Sequence, residues 1–271
     1  MPFLIQTGFL PENVHWVPIS GLSGDNLKDR VSSEICPWYN GPSLVELLDT
    51  IPLASRNPDA PLRLPVLDKS KDQGKQYLFG KIEQGMVRQG DKCMVAPVNN
   101  PCQIAVIYNS KDKEVPYARP GENVKLELLH IQDDTAVSKG NVLCHQDQIV
   151  PVSEVIEAEL ELLELVQHKP IFARGSTAMF HMHTLAEDAV IKEILEATEK
   201  DVASGELVNK VKPKYVRSYA KARVRISFKY PIAVEKYSQL SALGSFTLRD
   251  ENKTIANGRV LKYKPAQTMT L

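Results

Sequence analysis

The chain has 271 residues, enough for one to three domains with a sizeable buried core. Lysine plus arginine and aspartate plus glutamate both number 33, so no net charge draws it to nucleic acid or to a membrane surface. No apolar run reaches the length of a membrane-spanning helix, and the N-terminus lacks the basic and apolar stretches of a secretory signal. Cys36, Cys93, Cys102 and Cys144 form no C-x-x-C pair and read as reduced thiols of a cytoplasmic protein.

Residues 1–58 read as α/β. Residues 3–9 suit a short helix, residues 15–19 a short strand and residues 20–24 a turn, with Asp25 or Asn26 capping a brief helical turn over residues 27–31. Ser43 precedes Glu46 by three, a capping-box spacing, and Leu44, Leu47, Leu48 and Ile51 share one helical face. So few elements cannot build a doubly wound sheet, so this segment looks like part of a larger domain.

Residues 59–151 read as all-β. Strands are expected in residues 61–68, 77–82, 92–98, 103–108 and 124–129, with turns at 69–74 and 120–123. Spacing of about ten residues indicates a barrel or sandwich. The glycines and lysine between Gly74 and Lys81 have the wrong spacing for a phosphate-binding loop, and Ile82 stands where a hydroxyl belongs.

Residues 152–271 hold the longest alternating runs. Glu157, Glu159 and Glu161 share one face of a strand, but Glu154, Glu157, Glu161 and Glu164 also align at helical spacing, so pattern alone leaves both open. His181 and His183 stand at i and i+2, yet no Cys, Asp or Glu completes a metal site, and a structural pair is the expectation. Residues 186–198 suit strand or helix, and residues 199–205 a turn. From residue 210 to 229 every charge is basic: Lys210, Lys212, Lys214, Arg217, Lys221, Arg223, Arg225 and Lys229. This stripe suits ribosomal RNA or an acidic partner. The favoured reading makes it a cross-strand partner for the glutamates of residues 157–161, at roughly 0.2–1 kcal/mol per pair.

Residues 244–258 organise the rest. Phe246 and Leu248 alternate with Thr247 and Arg249, residues 250–253 form a polar turn, and Thr254 and Ile255 lead to Gly258, where a missing Cβ permits a bend or a close approach. Gly244, Phe246, Thr247, Leu248, Arg249 and Asp250, with Thr254, Ile255, Ala256 and Gly258, resemble the signature of the release-factor branch of elongation-factor-like translational GTPases. Ser245 and Asn257 depart from it, standing where arginine and an apolar residue are usual. Cys36, Pro37, Trp38 and Tyr39 resemble the same branch, and Arg63, Lys71, Asp72, Gly74, Gly80, Glu83 and Gly85 resemble the family's second domain.

The resemblance implies a mainly β chain: a remnant of the G domain over residues 1–58, then two consecutive β-barrels over 59–151 and 152–271. It places strands at residues 155–162 and 186–198. Ser20, Gly21 and Leu22 resemble the family's last nucleotide-binding motif, but the phosphate loop and the guanine-reading Asn-Lys-x-Asp are absent. No catalytic residue, metal or cofactor is therefore expected in this chain, while the full-length family member binds GTP and Mg and hydrolyses GTP. The implied role is translation termination, in which the last barrel docks the stop-codon-recognising release factor on the ribosome through Phe246, Thr247, Leu248, Arg249, Asp250, Thr254 and Ile255. Phe246 and Leu248 are assigned mainly to packing, Arg249 and Asp250 to polar contact or a fixing charge pair. A cytoplasmic monomer without membrane attachment is expected. The alternatives are a ribosome-rescue GTPase paired with a Pelota-type factor, an aminoacyl-tRNA carrier of the elongation factor 1-alpha type, and a stand-alone RNA-binding β-barrel.

Overall fold

A computed structural model describes residues 10–52, 56–133, 135–200 and 205–265. The chain divides into two compact units, Met1–Ser55 and Arg56–Leu271.

In the first unit one helix, α1 (Leu44–Thr50), carries the expected capping box: the Ser43 hydroxyl accepts from the Glu46 N–H, and the Glu46 carboxylate accepts from the Ser43 N–H. Arg30 also donates to Glu46 at 2.7 Å. Leu48 and Ile51 of the apolar face remain exposed. Two expectations fail here. Residues 15–19 form no strand, because the described residues of this unit offer no second strand to pair with. Residues 27–31 form no helical turn. Asn26 sits at φ 59°, outside the extended region a cap requires, and its side chain bonds Pro18 O and Val31 N instead. The expected helix at residues 3–9 lies outside the described residues.

The second unit contains two closed six-stranded barrels. Barrel one is built from β1 (Leu64–Asp72), β2 (Lys75–Lys81), β3 (Lys92–Ala96), β4 (Asn100–Tyr108), β5 (Asn123–Leu129) and β6 (Val142–His145), closed in the order β3-β6-β1-β2-β5-β4 and back to β3. Its core holds Leu64, Val66, Leu78, Ile104, Leu126 and Leu143. Residues 69–74 are not the turn that was expected. Strand β1 runs to Asp72, and the chain reverses on Gln73 and Gly74 alone, at φ 46° and 80°. Such a two-residue turn matches the twist of the flanking strands. The four cysteines are free thiols. Cys93 and Cys102 face each other across β3 and β4, and burial pushes the Cys102 thiol up to about 12, so it stays unreactive.

Barrel two is built from β7 (Val152–Leu162), β8 (Thr177–Met182), β9 (Leu185–Lys200), β10 (Leu207–Val211), β11 (Lys221–Ala233), β12 (Ser245–Asp250) and β13 (Lys253–Pro265). Six of these close in the order β8-β12-β13-β7-β11-β9, and β10 extends the sheet beyond β9. The strands implied at residues 155–162 and 186–198 are present. The turn expected at residues 199–205 is displaced, because β9 runs through Glu199 and Lys200, and residues 201–204 lie outside the described set.

The register of barrel two is written in charge. Glu157, Glu159 and Glu161 of β7 lie opposite Arg225, Arg223 and Lys221 of β11. On the far side of β11, Glu193 and Glu196 of β9 oppose Arg225 and Arg223. On the far side of β7, Lys262 and Arg259 of β13 oppose Glu157 and Glu159. The outer face thus runs acidic, basic, acidic, basic from β9 to β13, while Ile156, Ala158, Leu160, Val224 and Ile226 fill the interior. Arg223 reaches Glu157 at 3.4 Å and Glu196 at 3.3 Å, and Arg225 reaches Glu193 at 2.7 Å. This part of the basic stripe is therefore engaged within the barrel.

The barrels meet at a small apolar layer of Ala96, Val142, Cys144, Val150, Ala233 and Leu243. Beside it lies a buried ion pair. Arg63, 5% exposed, donates from Nε to Glu235 Oε1 at 2.9 Å, Nη2 lies 2.9 Å from the same oxygen, and Glu235 is 8% exposed. Nη1 of Arg63 donates to the carbonyls of Leu62 and Gln148. At a second contact the Thr184 hydroxyl donates to Val66 O at 2.7 Å and accepts from the Gly140 N–H at 3.1 Å. Gly140 has φ 90°, and a Cβ there would strike Leu185.

Removing one partner of a buried pair leaves the other charge uncompensated. Arg63→Ala should lower unfolding free energy by about 3–5 kcal/mol in urea titration, and Arg63→Met with Glu235→Leu should recover most of that loss. His183, next to Thr184, is sealed at Nε2 without a partner, and burial holds its ring down to about 4. The unfolded chain takes up the proton first, so the contribution is present above about 6.5 and lost as pH falls towards 4. Urea titrations across that window should show a loss on the order of 3 kcal/mol that His183→Asn, which tolerates the positive φ, removes.

Candidate functional site

Strands β12 and β13 form a hairpin in which Phe246 opposes Gly258, Thr247 opposes Asn257 and Leu248 opposes Ala256. The next pair is Arg249 with Thr254, so Ile255 is one extra residue on β13. Such a bulge re-aims a side chain at a strand end. Here Ile255 is buried, and its carbonyl accepts from the Leu163 N–H at 2.8 Å. The chain turns on Glu251 and Asn252, both at positive φ.

The seven signature residues separate by face. Phe246 and Leu248 point into the core. The Phe246 ring lies 4.4 Å from that of Phe180, which in turn meets Phe228 edge-on at 4.9 Å. Gly258 is needed because a Cβ there would collide with the Phe246 ring. An exposed aromatic anchor at Phe246 is therefore ruled out by its burial, and its role is packing. Thr247, Arg249, Asp250 and Thr254 are half-buried on the outside. Arg249 donates from Nη2 to Asn252 O at 2.7 Å and so braces the turn, while its Nε has no partner. Asp250 accepts from Lys169 Nζ at 3.0 and 2.9 Å, and that hydrogen bond holds the lysine above its ordinary range.

The loop between β7 and β8 carries the other half of the site. Nε2 of His168 lies 2.9 Å from Glu251, and Lys253 pairs with Glu164 at 2.7 Å, so two ion pairs and this histidine contact clamp the loop to the hairpin. Between loop and hairpin lies a pocket of about 520 Å³ lined by Leu165, Val166, Ile171, Phe172, Asp250 and Ile255. Leu165, Phe172 and Ile255 are buried in its floor, and Ile171 is exposed at its mouth. The sequence signature marked only one wall. Glu164, Lys169 and Ile171 lie in an aperiodic stretch ending the β7 alternation, and Pro170 is its one local signal.

Ser20, Gly21 and Leu22 occupy a tight turn in the first unit. The Ser20 hydroxyl accepts from the Ser23 hydroxyl at 2.6 Å, and Leu22 is fully exposed. His181 and His183 share no face, because His183 turns the β8–β9 hairpin at φ 44°. Among the described residues no group of three or more His, Cys, Asp or Glu is placed to hold a metal. No helix there is long and apolar enough to cross a membrane.

Residues 156–261 match the GTP-eEF1A C-terminal domain-like family. The two barrels are of the translational-GTPase type. The eukaryotic peptide chain release factor GTP-binding subunit of Ogataea pini is 35% identical over 96% of this chain and 34% of its own length. The elongation factor 1-alpha of Pyrobaculum arsenaticum is 34% identical over 96% of this chain and 56% of its own. The crystal structure of Sup35 complexed with GMPPNP superposes with a TM-score of 0.70 at 31% identity, covering 97% of this chain and 62% of the chain in that structure. The chain thus spans about a third of the release-factor subunits it matches in this translational GTPase family.

The two faces of the signature should respond differently to mutation. Phe246→Ala should cost about 3–5 kcal/mol in thermal or urea unfolding, whereas Arg249→Ala should cost about 1 kcal/mol or less.

Proposed function

We propose that the chain acts in translation termination, as the barrel portion of a release-factor GTPase subunit that docks the stop-codon-recognising release factor and couples it to GTP hydrolysis on the ribosome. The supporting observation is the match at 35% identity across 96% of the chain to a release-factor GTP-binding subunit. In this reading residues 1–58 are a G-domain remnant, and residues 59–151 and 152–271 are the two barrel domains. GTP and Mg are held by parts of the longer protein, and Ser20, Gly21 and Leu22 are bystanders. The setting is cytoplasmic, and the chain is a monomer.

The docking surface in this reading is the clamped pocket and its rim. Thr247, Arg249, Asp250 and Thr254 offer polar contact, while Phe246, Leu248 and Ile255 hold the surface in shape. Ile171 at the mouth and the apolar floor supply the buried contact that carries most interface energy. The match to elongation factor 1-alpha at 34% identity supports a second reading, an aminoacyl-tRNA carrier, which predicts RNA rather than protein as the ligand.

Calorimetric titration of the chain with a stop-codon-reading release factor, without nucleotide, tests both. Wild-type binding should weaken by about tenfold or more in Ile171→Asp, with the unfolding midpoint unchanged, and in Arg249→Ala, with a stability loss of about 1 kcal/mol or less. Binding to a Pelota-type factor alone, or to aminoacyl-tRNA alone, would replace this reading.

A further inference from the structure

The basic run of residues 210–229 splits in the folded chain. Lys221, Arg223 and Arg225 lie inside the charge ladder of barrel two, but Lys210, Lys212, Lys214 and Arg217 lie on or beyond β10. This strand pairs with β9 along one side only, with Leu207 opposite Lys200 and Val211 opposite Glu196. Among the described residues no strand pairs with its other side. All five of its residues are exposed, Leu207 at 74% and Val211 at 80%. Strand alternation places Leu207, Asn209 and Val211 on one face and Val208 and Lys210 on the other, and at Lys212 the backbone turns to φ 47° and the alternation ends.

The nearby acids are already shared. Glu199 accepts from Lys210 at 2.6 Å and from the Arg217 N–H at 2.8 Å. Glu193 takes Lys212 at 3.5 Å and Arg225 at 2.7 Å. Lys214 extends the basic row onto an exposed position. The edge therefore presents unpaired backbone groups and exposed aliphatic side chains, with Lys210 on the strand and Lys212 and Lys214 clustered just beyond its end.

We propose that β10 is a strand-addition site for an extended segment of a partner protein that alternates apolar and acidic residues. Apolar side chains of that segment would cover Leu207 and Val211, and its carboxylates would meet Lys210, Lys212 and Lys214, while main-chain hydrogen bonds supply affinity. A second copy of β10 fits poorly, since antiparallel self-pairing gathers the lysines of both chains on one face. RNA would use the cations but leave the aliphatic face and the backbone edge unsatisfied. The inference is independent of release-factor docking at the hairpin.

Amide hydrogen exchange of the chain, with short synthetic peptides as probes, tests it. A peptide alternating valine and glutamate should slow exchange across residues 207–211 by about tenfold, and one alternating valine and lysine should not. Leu207→Ser with Val211→Ser, both at exposed positions, should abolish the protection, and Lys214→Glu should weaken it, at unchanged unfolding midpoint. Protection by neither peptide, equal protection by both, protection by oligouridine instead, or a dimer in sedimentation that shields β10 would each overturn the proposal.

Discussion

The Arg63–Glu235 pair sets the terms for the second unit. It joins residues 172 positions apart and sits where the two barrels meet, with both groups nearly sealed from water. Two charges are removed from solvent there, and their attraction offsets that cost only in good geometry. The geometry is good: Nε donates to the carboxylate oxygen that Nη2 also approaches, and Nη1 satisfies two carbonyls. The apolar layer around it is small, so shape alone specifies the docking of the barrels weakly. The ion pair, with Thr184 bridging Val66 and Gly140, fixes one relative placement.

Within barrel two the same economy appears on the outer face. A slip of one residue between β7 and β11 would turn Ile156, Ala158 and Leu160 outward and place glutamates in the core. A slip of two would keep the core but shift the acidic row against the basic row. Where either row ends, charges would then lose opposite-sign partners. Alternating rows from β9 to β13 therefore penalise the one error that hydrophobic pattern leaves cheap.

Those rows explain what was legible in the sequence. Pattern left β7 open between strand and helix and the family resemblance placed it as a strand, and the matching glutamates of β7 and basic residues of β11 correctly suggested that they pair. The row on β9 was not legible, because residues 186–198 fit either period. Bulges between Ile191 and Glu193 and between Ile194 and Glu196 break the alternation there. Strand β6 was missed because four residues carry too little pattern. The Arg63–Glu235 pair was invisible for a different reason: nothing local distinguishes either residue from a surface charge, and only the closed barrels bring them together.

The candidate site shows the same limit at higher resolution. Residues 246–250 were conspicuous because they resemble a family signature, yet a strand exposes only half its side chains. Burial assigns Phe246 and Leu248 to the core and leaves Arg249 and Asp250 for the surface. The other wall of the pocket comes from the loop after β7, whose Glu164, His168 and Lys169 each contact a charged residue of the hairpin. Hairpin and loop are thus a single clamped element with an apolar floor. A substitution at Phe246 would unpack the Phe180 ring in the core behind the hairpin, so a loss of binding in such a variant need not mean that the ring touches a partner. Loss of binding at a signature residue therefore locates an interface only when stability is measured beside it. Ile171, exposed at the pocket mouth and outside the signature, is the better reporter.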